Sequence, residues 1–312
     1  MSVTHELIII GAGPAGLSAA LYAARFRLKT LVLEKMVCGG QIILSERIEN
    51  YPGFPSGIST QDLIARMKKQ VEDLGVNIEI DEAIEIIPGE NAQGNFYTVR
   101  SKYNSYSARS VIIATGASPK KLNVKGEDRF IGRGVSYCAT CDGPLFKDKE
   151  VAVIGGGNTA IEEALFLTNY AAKVSIIHRR QQLRASKILE EKARFNPKIN
   201  FILDSIIEEI TGQGRVEAVT VRNVKTNASS SFSCQGVFIF VGIEPNTGFV
   251  KKLLNVDESG FIMTDHALQS SHEGVFACGD CLKKNLYQVI TACAEGALAA
   301  DSAHKYILSR IK

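Results

Sequence analysis

The chain has 312 residues, 45% hydrophobic and 22% charged, which is ordinary globular composition with apolar material for more than one core, and the length predicts about two domains. A net charge of +3, from 36 basic and 33 acidic residues, excludes bulk nucleic-acid binding as a primary role but leaves room for a local cationic cluster. No basic region precedes the apolar run Leu7–Ile10, which Gly11 cuts short, and no stretch approaches the roughly 20 apolar residues that span a bilayer. The expectation is a soluble, cytoplasmic protein. Seven cysteines are too few, and odd in number, for a secreted disulfide scaffold. In a reducing compartment the pairs Cys138/Cys141 and Cys278/Cys281 read as redox-active or metal-binding, while Cys38, Cys234 and Cys293 stand alone.

In chain order, Leu7–Ile10 is a short run of strand type, Gly11–Gly16 a tight turn, Leu17–Phe26 a helix, and Leu31–Leu33 a buried strand ending in Glu34. This is a βαβ unit and requires a parallel sheet. Leu63, Ile64, Met67, Val71 and Leu74 recur at three- and four-residue intervals and predict an amphipathic helix over 61–74. Residues 76–114 are strand-rich and close with Val111–Ala114; Thr115–Pro119 then breaks the pattern as an exit from the first domain. The order restarts with strand Val151–Ile154, turn Gly155–Gly157, helix Ala160–Tyr170 and strand Val174–Ile177, and Val237–Val241 is a further β-rich run. After Pro245-Asn246 the chain is expected to return to the first domain, supplying Gly274–Ala277 as a closing strand and Gln288–Ile307 as a long helix. The expected fold class is therefore α/β, with two three-layer, Rossmann-like nucleotide-binding domains of ββα/βα type. The second (117–245) is inserted in the first (1–116 and 246–312).

The turn Gly11-Ala-Gly-Pro-Ala-Gly16 has the G-x-G-x-x-G form between a strand and a helix. Its first glycine permits the turn, the second lets a pyrophosphate approach the backbone, and the third lets helix and strand pack closely. Glu34 ends the second strand, 23 positions after Gly11, where a carboxylate accepts hydrogen bonds from a ribose 2′-OH. The second copy, Gly155-Gly-Gly-Asn-Thr-Ala160, has His178 at the same offset, followed by Arg179 and Arg180. An acid there would repel a 2′-phosphate; arginines bind it through charge-assisted hydrogen bonds, with Arg184 in reach across a short turn. The first site suits FAD and the second suits NADPH. The plainer alternatives are a glycine turn in some other α/β protein and, for His178-Arg-Arg180, a solvated strand end.

A hydride donor and a flavin need a final acceptor. Cys138-Ala-Thr-Cys141 offers one: two intervening residues on a turn bring the sulfurs within disulfide reach, and a cysteine at a helix start has its thiolate stabilised. Asp142 adjoins the second sulfur and is a candidate proton donor or acceptor. The pair also reads as a zinc half-site or as inert core cysteines. Zinc needs four ligands, and Cys278/Cys281 falls in the other expected domain, so no metal is expected.

Residues 132–143, Gly-Arg-Gly-Val-Ser-Tyr-Cys-Ala-Thr-Cys-Asp-Gly, resemble the active-site segment of the low-molecular-weight thioredoxin reductases, which carry their disulfide just before the second glycine motif. The resemblance extends through Gly39-Gly-Gln41, Glu49-Asn-Tyr-Pro-Gly53, Ala114-Thr-Gly116, Gly155–Ala160, His178-Arg-Arg180, Gly242-Ile-Glu-Pro-Asn246 and Gly279-Asp280, about residues 6–308. It implies reduction of thioredoxin by NADPH through FAD. Cys141 would face the flavin, Cys138 would attack the substrate disulfide, and Asp142 would be the general acid. It also implies FAD contacts from Gly11, Gly13, Pro14, Ala15, Gly16, Glu34, Gly40, Gln41, Asn50, Thr115, Gly116, Asp280, Gln288 and Val289. NADPH contacts would come from Gly155, Gly157, Asn158, Thr159, His178, Arg179, Arg180, Arg184 and Ile243. A homodimer and a large domain rotation about the strands near 115–119 and 243–246 complete what the resemblance implies.

Two departures stand out. The family often has Arg-Gln-Ala where the last helix begins; this chain has Tyr287-Gln288-Val289, leaving Gln288 for the flavin. Cys278 and Cys281 flank Gly279-Asp280, where the family usually has Ala and Val; they read as small buried residues or as a second redox pair. Arg133, Leu145 and Phe146 are candidates for a docking surface or for fold support. Two rival readings remain: a related flavin disulfide reductase or dithiol oxidase with another partner, and a non-catalytic flavin redox sensor. The arginine cluster argues against an oxidase, which has no need of NADPH.

Overall fold

The computed structural model describes residues 4–44, 47–48, 50–91 and 94–310. Its contacts divide the chain into two compact units. One takes the chain up to Ile43, Ile58–Ser118 and everything from Glu244 on; the other takes Leu44–Gly57 and Pro119–Ile243. Where the chain leaves and re-enters the first unit, Ala117–Pro119 and Ile243–Pro245 pair as a short ribbon. No helix among the described residues is long and apolar enough to cross a membrane.

The first unit is built on a parallel sheet. His5–Ile10 lies at its centre, between Thr30–Glu34 and Ser105–Ile113, with Asn77–Ile80 outside Thr30–Glu34 and Val275–Ala277 beside the second half of Ser105–Ile113. Leu7, Ile8, Ile9 and Ile10 are all buried, because both faces of the sheet are covered. Each such side chain contributes about 1.5–3 kcal/mol of apolar burial. Leu7 and Ile9 pack under the helices Pro14–Arg25, Thr60–Glu72 and Val289–Arg310. Ile8 and Ile10 pack under the antiparallel meander Ala83–Asn91, Gly94–Ser101 and Ser105–Ile113. The Thr60–Glu72 helix opens on Ser59, whose hydroxyl accepts the Asp62 N–H at 3.0 Å, and stops short of the expected Leu74, before Gly75 at φ +81°.

Two helices of this unit touch backbone to backbone. A Cβ on Gly296 would lie 2.1 Å from the carbonyl oxygen of Ala15, and Ala19, Ala20, Ala23, Ala299, Ala300 and Ala303 are fully buried in the same core. This holds the start of Pro14–Arg25 tightly against the final helix.

The second unit repeats the plan. Its five strands are all parallel, in the order Val135–Ser136, Gly236–Ile239, Glu150–Ile154, Lys173–Ile177 and Ile199–Ile202. Helices Asn158–Leu167 and Lys187–Phe195 cover one face, and the antiparallel sheet Ser205–Thr211, Ala218–Asn223 and Ser229–Ser233 covers the other. The α/β class with two three-layer nucleotide-binding units is thus observed.

Candidate active site

The glycine turn of the first unit is sterically locked. Gly11 sits at φ +107°, where a Cβ would also lie 2.4 Å from the Ala114 carbonyl oxygen, and a Cβ on Gly16 would lie 1.8 Å from the Gly11 carbonyl. Gly13 ends the turn in extended conformation; it offers no side-chain cap to Pro14–Arg25, whose first turn carries no acid. An uncapped helix start of this kind attracts an anion. Glu34 is held beside the turn, its Oε2 accepting the Ala12 N–H at 2.8 Å and its Oε1 the Met36 N–H at 3.0 Å. Gly40 comes up against Gly13, a Cβ on Gly40 reaching the Gly13 Cα at 3.4 Å, while Gly39 N–H donates to the Ala12 carbonyl at 2.8 Å. Gln41 follows, exposed, in the 3-10 turn Gly40–Leu44.

Two strand ends also meet the turn: a Cβ on Gly11 would lie 3.2 Å from the Thr115 Cα, and one on Gly279 would lie 2.8 Å from the Ala15 Cβ. Asn246 fixes the Thr115 and Gly116 carbonyls, its Nδ2 and backbone N–H each donating at 3.0 Å, and the buried Thr115 Oγ1 is left without a partner. After Val275–Ala277 the turn Gly279–Cys281 presents Asp280, whose buried Oδ1 has no hydrogen-bond partner and stands 3.5 Å from Lys284 Nζ. Burial pushes the Asp280 carboxyl up, against the pull of Lys284. Lys284 also pairs with Glu295, which accepts the Gly279 N–H at 2.8 Å. Gln288 precedes the final helix, which opens at the buried Val289. Tyr287, in place of the family arginine, packs its ring 6.3 Å from that of Phe261 and accepts the Lys284 N–H at 3.3 Å. Asn50 is exposed and falls in Leu44–Gly57, which groups with the second unit.

Cys278 and Cys281 are free and fully buried. The Cys281 thiol donates to the Cys278 carbonyl at 3.2 Å, and burial pushes it up to about 12. Burial pushes the Cys278 thiol up as well, and both side chains pack in the cores on either side of the sheet.

In the second unit Gly155, at φ +150°, would place a Cβ 2.5 Å from the Phe240 carbonyl oxygen, while Gly157 faces open space and starts the uncapped helix Asn158–Leu167. Asn158 Oδ1 accepts the Ser186 N–H at 2.8 Å, and Thr159 is exposed. His178 lies beneath the turn: a Cβ on Gly156 would come within 2.5 Å of its ring. It is only 6% exposed, and its titration is pushed down by burial, reinforced by Arg184. It therefore supports the turn, while Arg179 and Arg180 stand exposed just beyond it. Arg184 N–H donates to the Gly156 carbonyl at 2.6 Å, bringing a third guanidinium to this edge. Ile243 is exposed at the start of the connecting ribbon.

After edge strand Val135–Ser136, Cys138 takes extended geometry and Ala139–Asp142 forms one helical turn. Cys138 and Cys141 form a disulfide across a Cα–Cα separation of 5.3 Å. Cys138 Sγ accepts the Cys141 N–H at 3.2 Å and lies 3.4 Å from Thr140 Oγ1. Asp142 is buried, 7% exposed. Of the docking candidates, Arg133 and Leu145 are exposed, but Phe146 is buried edge-on to Phe238 and belongs to the core. Lys284 and Glu295 escaped the sequence reading.

Residues 5–296 match the family described as pyridine nucleotide-disulphide oxidoreductase. The chain belongs to that family. Among its relatives, thioredoxin reductases of Peptoclostridium litorale and Treponema pallidum (strain Nichols) are 45% and 43% identical over 98% of each chain. The crystal structure of thioredoxin reductase from Streptococcus pyogenes MGAS5005 superposes with a TM-score of 0.90 at 44% identity, covering 98% of both chains. That of the Giardia duodenalis enzyme gives 0.88 at 34% identity, covering 98% of this chain and all of that one. Like its family, the chain is a flavoprotein oxidoreductase that uses FAD and NADPH. The first unit fits FAD: the locked glycine turn and uncapped helix start suit a pyrophosphate. Glu34 suits a ribose, and the buried Thr115 Oγ1 and the Asp280 Oδ1, held only by its ion pair with Lys284, are acceptors for hydroxyl or amide donors.

Proposed function

We propose that this oxidoreductase reduces the disulfide of thioredoxin, with the Cys138–Cys141 pair as the group that exchanges with it. The observation that carries the reading is the disulfide itself, formed in the unit that also holds the cationic nucleotide turn. Bound FAD supplies the means of accepting a hydride from NADPH and passing the electron pair to sulfur. In sum, NADPH, one proton and a protein disulfide give NADP+ and a protein dithiol. Cys138 leads the exchange: the Cys141 N–H and the Thr140 hydroxyl beside its sulfur stabilise a thiolate. Its attack forms a mixed disulfide, which Cys141 resolves, releasing the substrate dithiol and restoring the Cys138–Cys141 bond. Asp142 is the group for proton transfer at Cys141. Glu34 and the first turn hold FAD with Gly40, Gln41, Asn50, Thr115, Asp280 and Gln288. Arg179, Arg180 and Arg184 hold the 2′-phosphate of NADPH.

The inserted arrangement, 117–245 within 1–116 and 246–312, gives two crossings about which the domains turn to serve both electron transfers. A cytoplasmic homodimer is part of the same reading; the sparse cysteines support the compartment and the family resemblance the dimer, which light scattering checks.

The deciding experiment follows NADPH oxidation with thioredoxin as acceptor. Wild type turns over, and Cys138→Ser falls to background. A Cys141→Ser variant accumulates the mixed disulfide; its formation by Cys138→Ser instead would reverse the two sulfur roles. A yellow protein that NADPH fails to bleach anaerobically would remove the reading in favour of a redox sensor.

A further inference from the structure

Lys284 stands between two carboxylates of the first unit. Its Nζ lies 2.5 Å from Glu295 Oε2 and 3.5 Å from Asp280 Oδ1, and only 11% of its side chain is exposed. The same Glu295 oxygen accepts the Gly279 N–H at 2.8 Å. Glu295 is fixed by its place in the chain: the next residue is Gly296, where the final helix meets the Ala15 carbonyl with no room for a Cβ. The final helix thus carries Glu295, Glu295 carries Lys284, and Lys284 meets Asp280. Asp280 Oδ1 is closed off from solvent and held only by that ion pair, yet 28% of the side chain is exposed. Its open part is therefore not the oxygen that faces Lys284. Glu295 already holds the turn at Gly279, so bracing does not require an ammonium, whose burial is costly.

We infer that Lys284 is the positioning residue for Asp280: held by Glu295, its ammonium keeps Asp280 a carboxylate whose open side accepts a hydrogen bond from a hydroxyl or amide of FAD. Two acids share one nearly buried cation here. Without Lys284 two like charges would face each other in a poorly solvated place, and one acid would take a proton. A neutral Asp280 holds a donor less well, because hydrogen bonds to a charged group are about twice as strong as neutral ones. Burial pushes Asp280 toward that neutral form, and Lys284 pulls against it. Asp280 feels Lys284 and Glu295 and acts in turn on Cys281 and Tyr287, whose own groups burial keeps protonated.

The inference rests on Asp280 as a ligand of FAD, so Asp280→Asn is measured first. FAD release from diluted holoenzyme, followed by flavin fluorescence, should quicken about tenfold in that variant. Release at the wild-type rate would take Asp280 out of the FAD site, and this inference with it. Lys284→Met should also quicken release about tenfold, while Lys284→Arg, which keeps the charge, should stay within about threefold of wild type. Lys284→Met/Asp280→Asn should release FAD no faster than Asp280→Asn alone, since Lys284 acts through Asp280. In Lys284→Met release should quicken further as pH falls from 8 to 6 and protonates Asp280; wild type should change less, and the double variant should lose that dependence. If Lys284→Met yields no holoenzyme, Lys284→Gln carries the same contrast with Lys284→Arg. Release at the wild-type rate without the ammonium would overturn the inference. So would additive effects in the double variant with an unaltered pH profile, which would leave Lys284 a brace for the turn.

Discussion

Glu34 and the arginines after His178 stand at matching places in two copies of one fold, and in the proposed reading their opposite charges sort the two cofactors. The carboxylate of Glu34 is fixed by two backbone N–H groups, so it meets a ribose without reorganising. Arg179 and Arg180 are exposed and lie next to a rigid turn, so a 2′-phosphate has donors waiting at its edge. Charge-assisted hydrogen bonds contribute about 1.5–3 kcal/mol each. Replacing both arginines with alanine should lower kcat/KM for NADPH by roughly 10–100-fold and leave NADH little changed, as steady-state kinetics will show. His178 gives a second test at this scale. Its titration is pushed below 6.5 by burial, so the folded protein binds the neutral ring. The stability this contributes is complete above pH 6.5 and is lost as pH falls through that value toward the folded one, because the unfolded chain then binds the proton better. His178→Gln should therefore lose less stability than wild type between pH 7 and pH 5, measured as the difference in urea midpoint.

At the scale of elements, the tightest constraint is the crossing of Pro14–Arg25 with the final helix. No side chain fits at Gly296, whose Cβ would meet the Ala15 carbonyl at 2.1 Å. Gly296→Ala should force the helices apart at a cost of about 1–3 kcal/mol, lowering the melting temperature by several degrees and weakening FAD retention. Flavin fluorescence during heating reads both. The two strand–glycine–helix units were legible in sequence because apolar runs, glycines and helical spacing all act locally. Helix boundaries shifted by a few residues: the glycine-turn helices begin at Pro14 and Asn158, inside the motif itself, because an extended Gly13 or Gly157 is the last non-helical residue. The sheet Ser205–Ser233 was not legible. Its last strand, Ser229–Ser233, is mostly exposed serine, so no apolar alternation marks it, and only pairing with Ala218–Asn223 makes it a strand. Glu295 was missed for the same reason: it acts on the backbone N–H of Gly279, in a different element.

For the whole molecule, the chemistry divides into two electron transfers that share a flavin and differ in the partner group. Each unit brings its own part: the first carries the turn, Glu34 and Asp280, and the second carries the arginines and the disulfide. Removing the sulfurs should therefore break one transfer and spare the other. Cys138 and Cys141 are not in the core of the first unit, so serine at both positions leaves its fold and cofactor site untouched. In a Cys138→Ser/Cys141→Ser variant, anaerobic bleaching of the flavin by NADPH should stay within about threefold of wild type, since uncharged substitutions away from the core are usually mild. Reduced thioredoxin should reduce the wild-type flavin in the reverse direction and leave the variant yellow. That asymmetry is specific to a relay. A flavin that met thioredoxin without sulfur as intermediary would respond equally in both proteins, and stopped-flow absorbance near 450 nm distinguishes the two.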